Sequence, residues 1–206
     1  MTAAIGHLGA DHVIEVHESM GGFLDLDYAA IPGGGVLAGG AGLAGAGGAQ
    51  DVGITSHMAV HTHDPQTLAF ALEDSPVGLA AWIVERRRAW SDCDGDVERR
   101  FSLDDLITTV SALLAHAHDR HEPALLLGEH GAGTLAAHAR RLAGVPVPSA
   151  FAILPEDNVL VPRRVAERHA NVQQWTILPR GGHFGPAEEP ELIVEDVRPS
   201  SALRGR

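Results

Sequence analysis

Apolar positions recur along this chain of 206 residues in two patterns, one typical of β-strands and one typical of α-helices. Residues 12–17, 150–154 and 172–178 have the short apolar or alternating pattern of strands. The last two runs lie about one helix length apart. They therefore predict a strand–helix–strand unit, whose strands are parallel and joined by a right-handed crossover.

The middle of the chain has helical spacing instead. The run PQTLAFALED predicts one or two helical turns. Ser75 followed by Pro76 predicts the start of the next helix, because serine caps helices and proline is accepted at their first position. Ser102 predicts a further helix with acidic residues in its first turn. Helices between two groups of strands predict an α/β sheet with an inserted α-helical cap.

Four segments follow from these patterns. Residues 1–32 are expected to hold the end of a core helix and one core strand, and residues 33–64 a Gly/Ala-rich linker and loop. Residues 65–146 are expected to form the helical cap, in which Trp82 and Trp90 contribute to the core. Residues 147–206 are expected to form the C-terminal core of strand, helix, strand and helix.

Two chemically active side chains follow the last two predicted strands. Asp157 lies in LPEDN after one strand, and His183 lies in GGHF after the other. Parallel strands end at the same edge of a sheet, where ligands of open α/β sheets bind, so we expect the carboxylate and the imidazole to lie close together. A carboxylate that orients a histidine is a common arrangement for a general base. Gly181 and Gly182 allow a tight turn before the histidine.

Charge and composition indicate which binding partners and which cellular location to expect. The net charge of −12 disfavours nucleic acid and anionic membranes. The lone Cys93 cannot form an internal disulfide, and the first residues lack the regions of a signal peptide, so we expect a cytoplasmic protein. Residues 33–48 are uncharged but mostly Gly and Ala, which do not predict a membrane span.

Several long motifs resemble the microsomal type of epoxide hydrolase, a family of α/β-hydrolases with a helical cap. They are DPQTLAFALEDSPVGLAAWIVERRRAWSD, GDVERRFSLDDLITTV, FAILPEDN, NVQQWTILPRGGHF and EEPELIVEDV, which cover roughly residues 66–109 and 145–197. HLGADHVIEVH also resembles the helix end and strand that precede the cap in this family. The resemblance implies a partial α/β-hydrolase fold.

The resemblance also implies a mechanism. A nucleophilic Asp opens the epoxide to form an ester, and a His held by an acidic residue activates the water that hydrolyses it. On this sequence His183 falls on the base position and Asp157 on the orienting acid position. The implied substrate is a small lipophilic epoxide, and neither a cofactor nor a metal is expected.

Two departures from the family pattern concern residues that take part in catalysis. The family's nucleophile lies in a Gly-Gly-Asp turn just before the helix that here ends in IGHLGA, so we expect the nucleophile to be missing and the chain to represent the C-terminal part of such an enzyme. A cap tyrosine of the family would fall near Leu126 or Leu127, whereas the single tyrosine is Tyr28.

Two alternatives remain open at this point. The segment around Ser19 reads as strand, turn and helix and resembles the nucleophile elbow of serine hydrolases, although His17 replaces the first glycine of that motif. An esterase would then use Ser19 with His183 and Asp157. The other alternative is a non-catalytic remnant that binds a partner or an apolar ligand. Because the strand that carries the family's nucleophile is expected to be missing, residues 12–17 should form an open sheet edge, which predicts an oligomeric, partner-bound or poorly folded chain.

The remaining candidates have simpler interpretations. Arg86–Arg88 is expected to be a solvated helix face. Thirteen histidines make chance clusters common, so we interpret two clusters of possible metal ligands as solvated surface. These clusters are His116, His118, His121 and Glu122, and His57, His61 and His63.

Overall fold

A computed structural model describes residues 11–19, 36–37, 57, 60–61, 65–120 and 144–200. Within these ranges the side chains of 36–37, 117–120, 159 and 199–200 are not described. The predictions for Tyr28, His63, residues 121–122 and residues 126–127 therefore lie outside the described part of the chain, as does the side chain of His118.

The chain divides into two compact units. The sheet unit comprises Met1–Ala46 and Ala137–Arg206, and the helical unit comprises Gly47–Ala136. The described residues of the helical unit form α1 (Pro65–Asp74), α2 (Pro76–Trp90), a 3₁₀ turn (Val97–Arg99) and α3 (Leu103–Arg120).

The starts of α2 and α3 have the caps that the sequence predicts. Ser75 Oγ accepts a hydrogen bond from the Gly78 amide at 3.0 Å, and Pro76 occupies the first turn. Ser102 Oγ accepts from the Asp105 amide at 3.1 Å, while the Asp105 carboxylate accepts from the Ser102 hydroxyl at 2.6 Å. These contacts satisfy amide groups that the first turn of a helix leaves without partners.

A small apolar core joins the three helices of the helical unit. Because Leu79 is fully buried and Trp82 and Ile83 follow one turn later, one face of α2 packs inward. The buried members of this core are Ala69, Leu72, Leu79 and Val110.

In the described part of the sheet unit, five strands form two sheets. They are β1 (Val16–Glu18), β2 (Val36–Leu37), β3 (Val145–Ile153), β4 (Val159–Leu160) and β5 (Ala170–Ile177). Strands β1, β3 and β5 are parallel in that order, and β2 pairs with β4 in the antiparallel sense. The predicted α/β class and the parallel arrangement of the three predicted strands are confirmed.

The boundaries of these strands differ from the predicted ones. The first strand is Val16–Glu18 rather than residues 12–17, and its pairing with β3 begins opposite Ser149. Pro146 and Pro148 precede Ser149 in β3 and have no amide hydrogen to donate, which explains the late start of the pairing. Strand β3 begins at Val145, inside the segment predicted as cap.

The crossover between β3 and β5 is also shorter than a full helix. It contains β4 and the single turn α4 (Arg163–Ala166), because residues 154–161 are used by the loop that carries Asp157 and by β4. Strand β2 lies inside the segment predicted as a linker. After β5 the chain forms α5 (Gly185–Glu188) and α6 (Pro190–Ser200).

Both faces of β3 are buried. Phe151 packs on Val161 and Val165 on one face and stacks on the Trp175 ring at a centroid distance of 5.2 Å. Ala152 points to the other face, where Leu154 and Leu178 pack with residues of α6. This burial holds the carboxyl end of β3 in a fixed position.

Among the described residues, no single helix is long and apolar enough to cross a membrane. The two helices α1 and α2, bent by 117° at their junction, meet those limits only when taken together.

Candidate active site

Asp157 lies in the loop that follows β3. Strand β3 ends at Ile153, and Pro155 helps to end the pairing because it has no amide hydrogen. The Asp157 amide donates to the Leu154 carbonyl at 3.2 Å, and Asp157 Oδ1 accepts from the Asn158 amide at 2.7 Å. The residue is only 2% exposed, so its carboxylate is held by the loop and shielded from water.

His183 lies in the loop that follows β5. Gly181 turns the chain there with a φ of +109°, in the left-handed region that favours glycine. The Gly181 carbonyl accepts from the Glu156 amide at 3.1 Å, and a parallel bridge joins Glu156 and Gly182. The pairing between β3 and β5 thus resumes in the two loops and brings His183 beside Asp157.

The two side chains are in direct contact. His183 Nδ1 lies 3.0 Å from Asp157 Oδ1, and the histidine side chain is 24% exposed whereas the aspartate side chain is 3% exposed. An ionised carboxylate only accepts hydrogen bonds, so Nδ1 carries the hydrogen, and in the neutral ring Nε2 carries the basic lone pair. The Phe184 ring packs edge-on against the imidazole at 5.1 Å. The proximity predicted from the strand topology is therefore present.

Ser19 directly follows β1 and so lies at the carboxyl end of the same parallel sheet. Within the described residues, however, it makes no hydrogen bond to His183. The serine esterase hypothesis therefore gains no support from the geometry of this site.

The histidine clusters do not form a metal site in the part of the chain that the structure describes. His116 is exposed on α3. The His57 and His61 rings lie 5.4 Å apart, edge to face, and pack on Trp90 and Trp82 at 4.9 Å and 6.0 Å respectively. Burial lowers the pKa of the His61 imidazole below its usual value. The prediction of a solvated surface is therefore wrong for these two histidines.

The prediction for Arg86–Arg88 is wrong for its first two members. The Arg86 guanidinium lies over the Trp82 and Trp90 rings, 5.8 Å and 5.7 Å from their centroids, and Arg87 lies over Phe101 at 4.7 Å. Long arginine stems can fold back over aromatic faces, where the cation is attracted to the ring. Charge runs alone do not reveal this packing.

Two acidic residues near His183 are not among the predicted site residues. Glu188 accepts hydrogen bonds from backbone amides beside His183, and Glu189 pairs with Arg180 at 2.8 Å. The motif GGHF followed by two acids was visible, but the direction of those side chains depends on how the loop closes.

The sequence similarity of this chain to known proteins identifies its family. No family model matches the chain. Epoxide hydrolase 1 of Oryctolagus cuniculus is 35% identical over 150 residues, which are 69% of this chain and 33% of that protein. Epoxide hydrolase 1 of Sus scrofa is 32% identical over 151 residues, which are 70% of this chain and 33% of that protein. This chain belongs to the epoxide hydrolase family. It spans about a third of the length of these curated relatives.

The fold agrees with this assignment. The juvenile hormone epoxide hydrolase of the silkworm Bombyx mori superposes with a TM-score of 0.72 at 18% identity, over 97% of this chain and 45% of that chain. At this low identity the likeness shows the fold alone, which is the α/β-hydrolase fold that the motifs predicted. The sequence similarity therefore shows the family, and the structural likeness shows the same fold.

Proposed function

We propose that this chain takes part in the hydrolysis of a lipophilic epoxide to a diol, with His183 as the base and Asp157 as the residue that orients it. The observation that carries the proposal is the hydrogen bond of 3.0 Å between the two side chains at the carboxyl end of the sheet. A buried carboxylate on Nδ1 fixes the ring and stabilises the imidazolium that forms when Nε2 takes a proton.

The proposed reaction has two steps. A carboxylate nucleophile attacks an epoxide carbon, the C–O bond of the ring breaks, and the released oxygen takes a proton from solvent, which leaves a hydroxyalkyl ester. His183 Nε2 then takes a proton from water, and the hydroxide attacks the ester carbonyl. The ester C–O bond breaks, the departing alkoxide takes the proton of the new carboxyl group to complete the diol, and His183 releases its proton to solvent as the carboxylate is restored. We assign the nucleophile to the part of the relatives that this chain does not match.

The proposal extends to the location and the oligomeric state of the protein. We place the protein in the cytoplasm on the basis of its lone, buried Cys93. We also propose that it self-associates through β1, which among the described strands pairs with β3 alone.

A chimaera tests the proposed roles. This chain replaces the matching stretch of Epoxide hydrolase 1 from Oryctolagus cuniculus, and diol formation from styrene oxide is measured. His183→Ala is expected to lower the rate by about 10²–10⁴, the usual contribution of a general base. His169→Ala is the matched control, because His169 is exposed and precedes the same strand that His183 follows. Circular dichroism verifies that each variant is folded.

Two results would contradict the proposal. A folded His183→Ala chimaera that forms diol as fast as its parent would exclude His183 as the base. Ester hydrolysis by the 206-residue chain alone that disappears in Ser19→Ala would favour the esterase hypothesis instead.

A further inference from the structure

The peptide groups on both sides of His183 bind one carboxylate. Glu188 Oε2 accepts a hydrogen bond from the Gly182 amide at 3.0 Å, and Glu188 Oε1 accepts from the Phe184 amide at 2.9 Å. Glu188 is 7% exposed. A single buried side chain therefore uses both of its oxygens on the residues that flank the candidate base.

This arrangement constrains the backbone of His183. The Gly182 amide belongs to the residue that bridges to Glu156, and the Phe184 amide to the N-cap of α5, so fixing both limits the rotation of the chain at His183. Hydrogen bonds to an ionised acceptor are among the strongest in proteins, and their strength increases when water is excluded. Asp157 holds the ring of His183, and Glu188 holds the backbone on both sides of it. The residue is therefore fixed at its side chain and at its main chain.

The adjacent acid provides an internal comparison. Glu189 is as buried as Glu188, at 6% exposed, but its Oε1 accepts from the Arg180 side chain. Two neighbouring carboxylates with the same burial thus have different partners. Burial alone does not account for the contacts of Glu188, because a buried carboxylate is satisfied equally well by an arginine.

We propose that Glu188 is a positioning residue for His183, which sets the direction of the imidazole toward Asp157 through the two flanking amides. This role rests on the proposed function, in which His183 is the base. The inference about geometry can nevertheless be tested without any turnover, so its failure is distinguishable from failure of the proposed function.

The test uses nuclear magnetic resonance on the whole 206-residue chain with ¹⁵N-labelled histidine. Glu188→Gln retains one acceptor oxygen, and its NH₂ group faces an amide donor, so it can keep at most one of the two bonds. We expect the Nδ1–H signal of His183 to broaden or disappear and the two ring tautomers to mix. Amide exchange at Gly182 and Phe184 should accelerate by about ten- to a hundredfold, the loss expected for a charge-assisted hydrogen bond. Glu189→Gln is the matched control and should leave all these signals unchanged.

A second variant and a measurement on the wild type keep the proposal testable even if Glu188→Gln does not fold. Glu188→Asp retains the charge, but its shorter stem cannot reach both amides, so it should also lose the Nδ1–H signal. In the wild type, both amides should be protected from exchange. The proposal is overturned if the wild-type amides exchange as fast as exposed ones. It is also overturned if a folded Glu188 variant retains the tautomer and the Nδ1–H signal of His183.

Discussion

Gly181 lies against Leu154 so closely that an added Cβ would be 2.5 Å from Leu154 Cδ2. Leu154 belongs to the loop that carries Asp157, and Gly181 belongs to the loop that carries His183. The contact between them therefore sets the distance at which the two loops approach, and with it the geometry of the candidate site.

The first prediction concerns this contact. Gly181→Ala introduces a Cβ at a residue with positive φ, and this Cβ also clashes with Leu154. The two effects together should destabilise the fold by about 2–4 kcal/mol. Gly95→Ala is the control: its φ is +79°, but the nearest atom to the added Cβ is 3.7 Å away, so only about 1–2 kcal/mol is expected. Urea unfolding followed by circular dichroism measures both. Equal losses for the two variants would mean that the Leu154 contact is unimportant.

The second prediction concerns a buried pair that joins β1 to α6. His17 Nε2 lies 2.8 Å from Asp196 Oδ2, and both side chains are largely buried. Asp196→Ala would leave the imidazole nitrogen without this partner, at a cost of about 1–3 kcal/mol. Glu167→Ala, which removes an exposed pair with Arg163, should cost under about 1 kcal/mol. Chemical unfolding of both variants tests this ranking, and a reversed order would contradict it.

The third prediction concerns pH. Burial lowers the pKa of His61, so between its folded and unfolded pKa values the unfolded state binds the extra proton. Stability should therefore be highest above the unfolded value of about 6.5 and decrease as pH falls through the window below it. His61→Leu removes this titration. The difference in unfolding free energy between wild type and variant should change between pH 7.5 and pH 5, in the direction that weakens the wild type. A difference independent of pH would contradict the account.

The fourth prediction concerns self-association. If β1 offers an open edge, light scattering after size exclusion should show a mass that increases with protein concentration. The expected species exceeds the mass of one chain. A single species of one chain's mass across the concentration range, with a sharp cooperative unfolding transition, would exclude this edge as an interface.

The sequence correctly predicted the position of residues that strand topology alone determines. Asp157 and His183 each follow a parallel strand, and parallel strands end at one edge, so their proximity required no knowledge of side-chain packing. Contacts that depend on packing were not predictable in this way. Asp196 lies 179 residues from His17, and no local pattern relates the two.

The missed features share a physical cause. The two hydrogen bonds of Glu188 were not predicted, because the fold of the loop directs its carboxylate back onto two amides. Arg86 was assigned to solvent because it is charged, while its stem allows it to cover two tryptophan rings. Side-chain direction depends on tertiary contacts, and the sequence pattern carries little information about it.

The most direct test of the account is to trap the intermediate that His183 is proposed to hydrolyse. The chimaera with His183→Ala is incubated with styrene oxide, and its intact mass is measured. Because the ester forms without the base but needs the base for hydrolysis, the account predicts a protein heavier by one epoxide in this variant and little adduct in the parent or in His169→Ala. A folded His183→Ala chimaera that accumulates no adduct while still forming diol would contradict the central claim that His183, oriented by Asp157, activates the hydrolytic water.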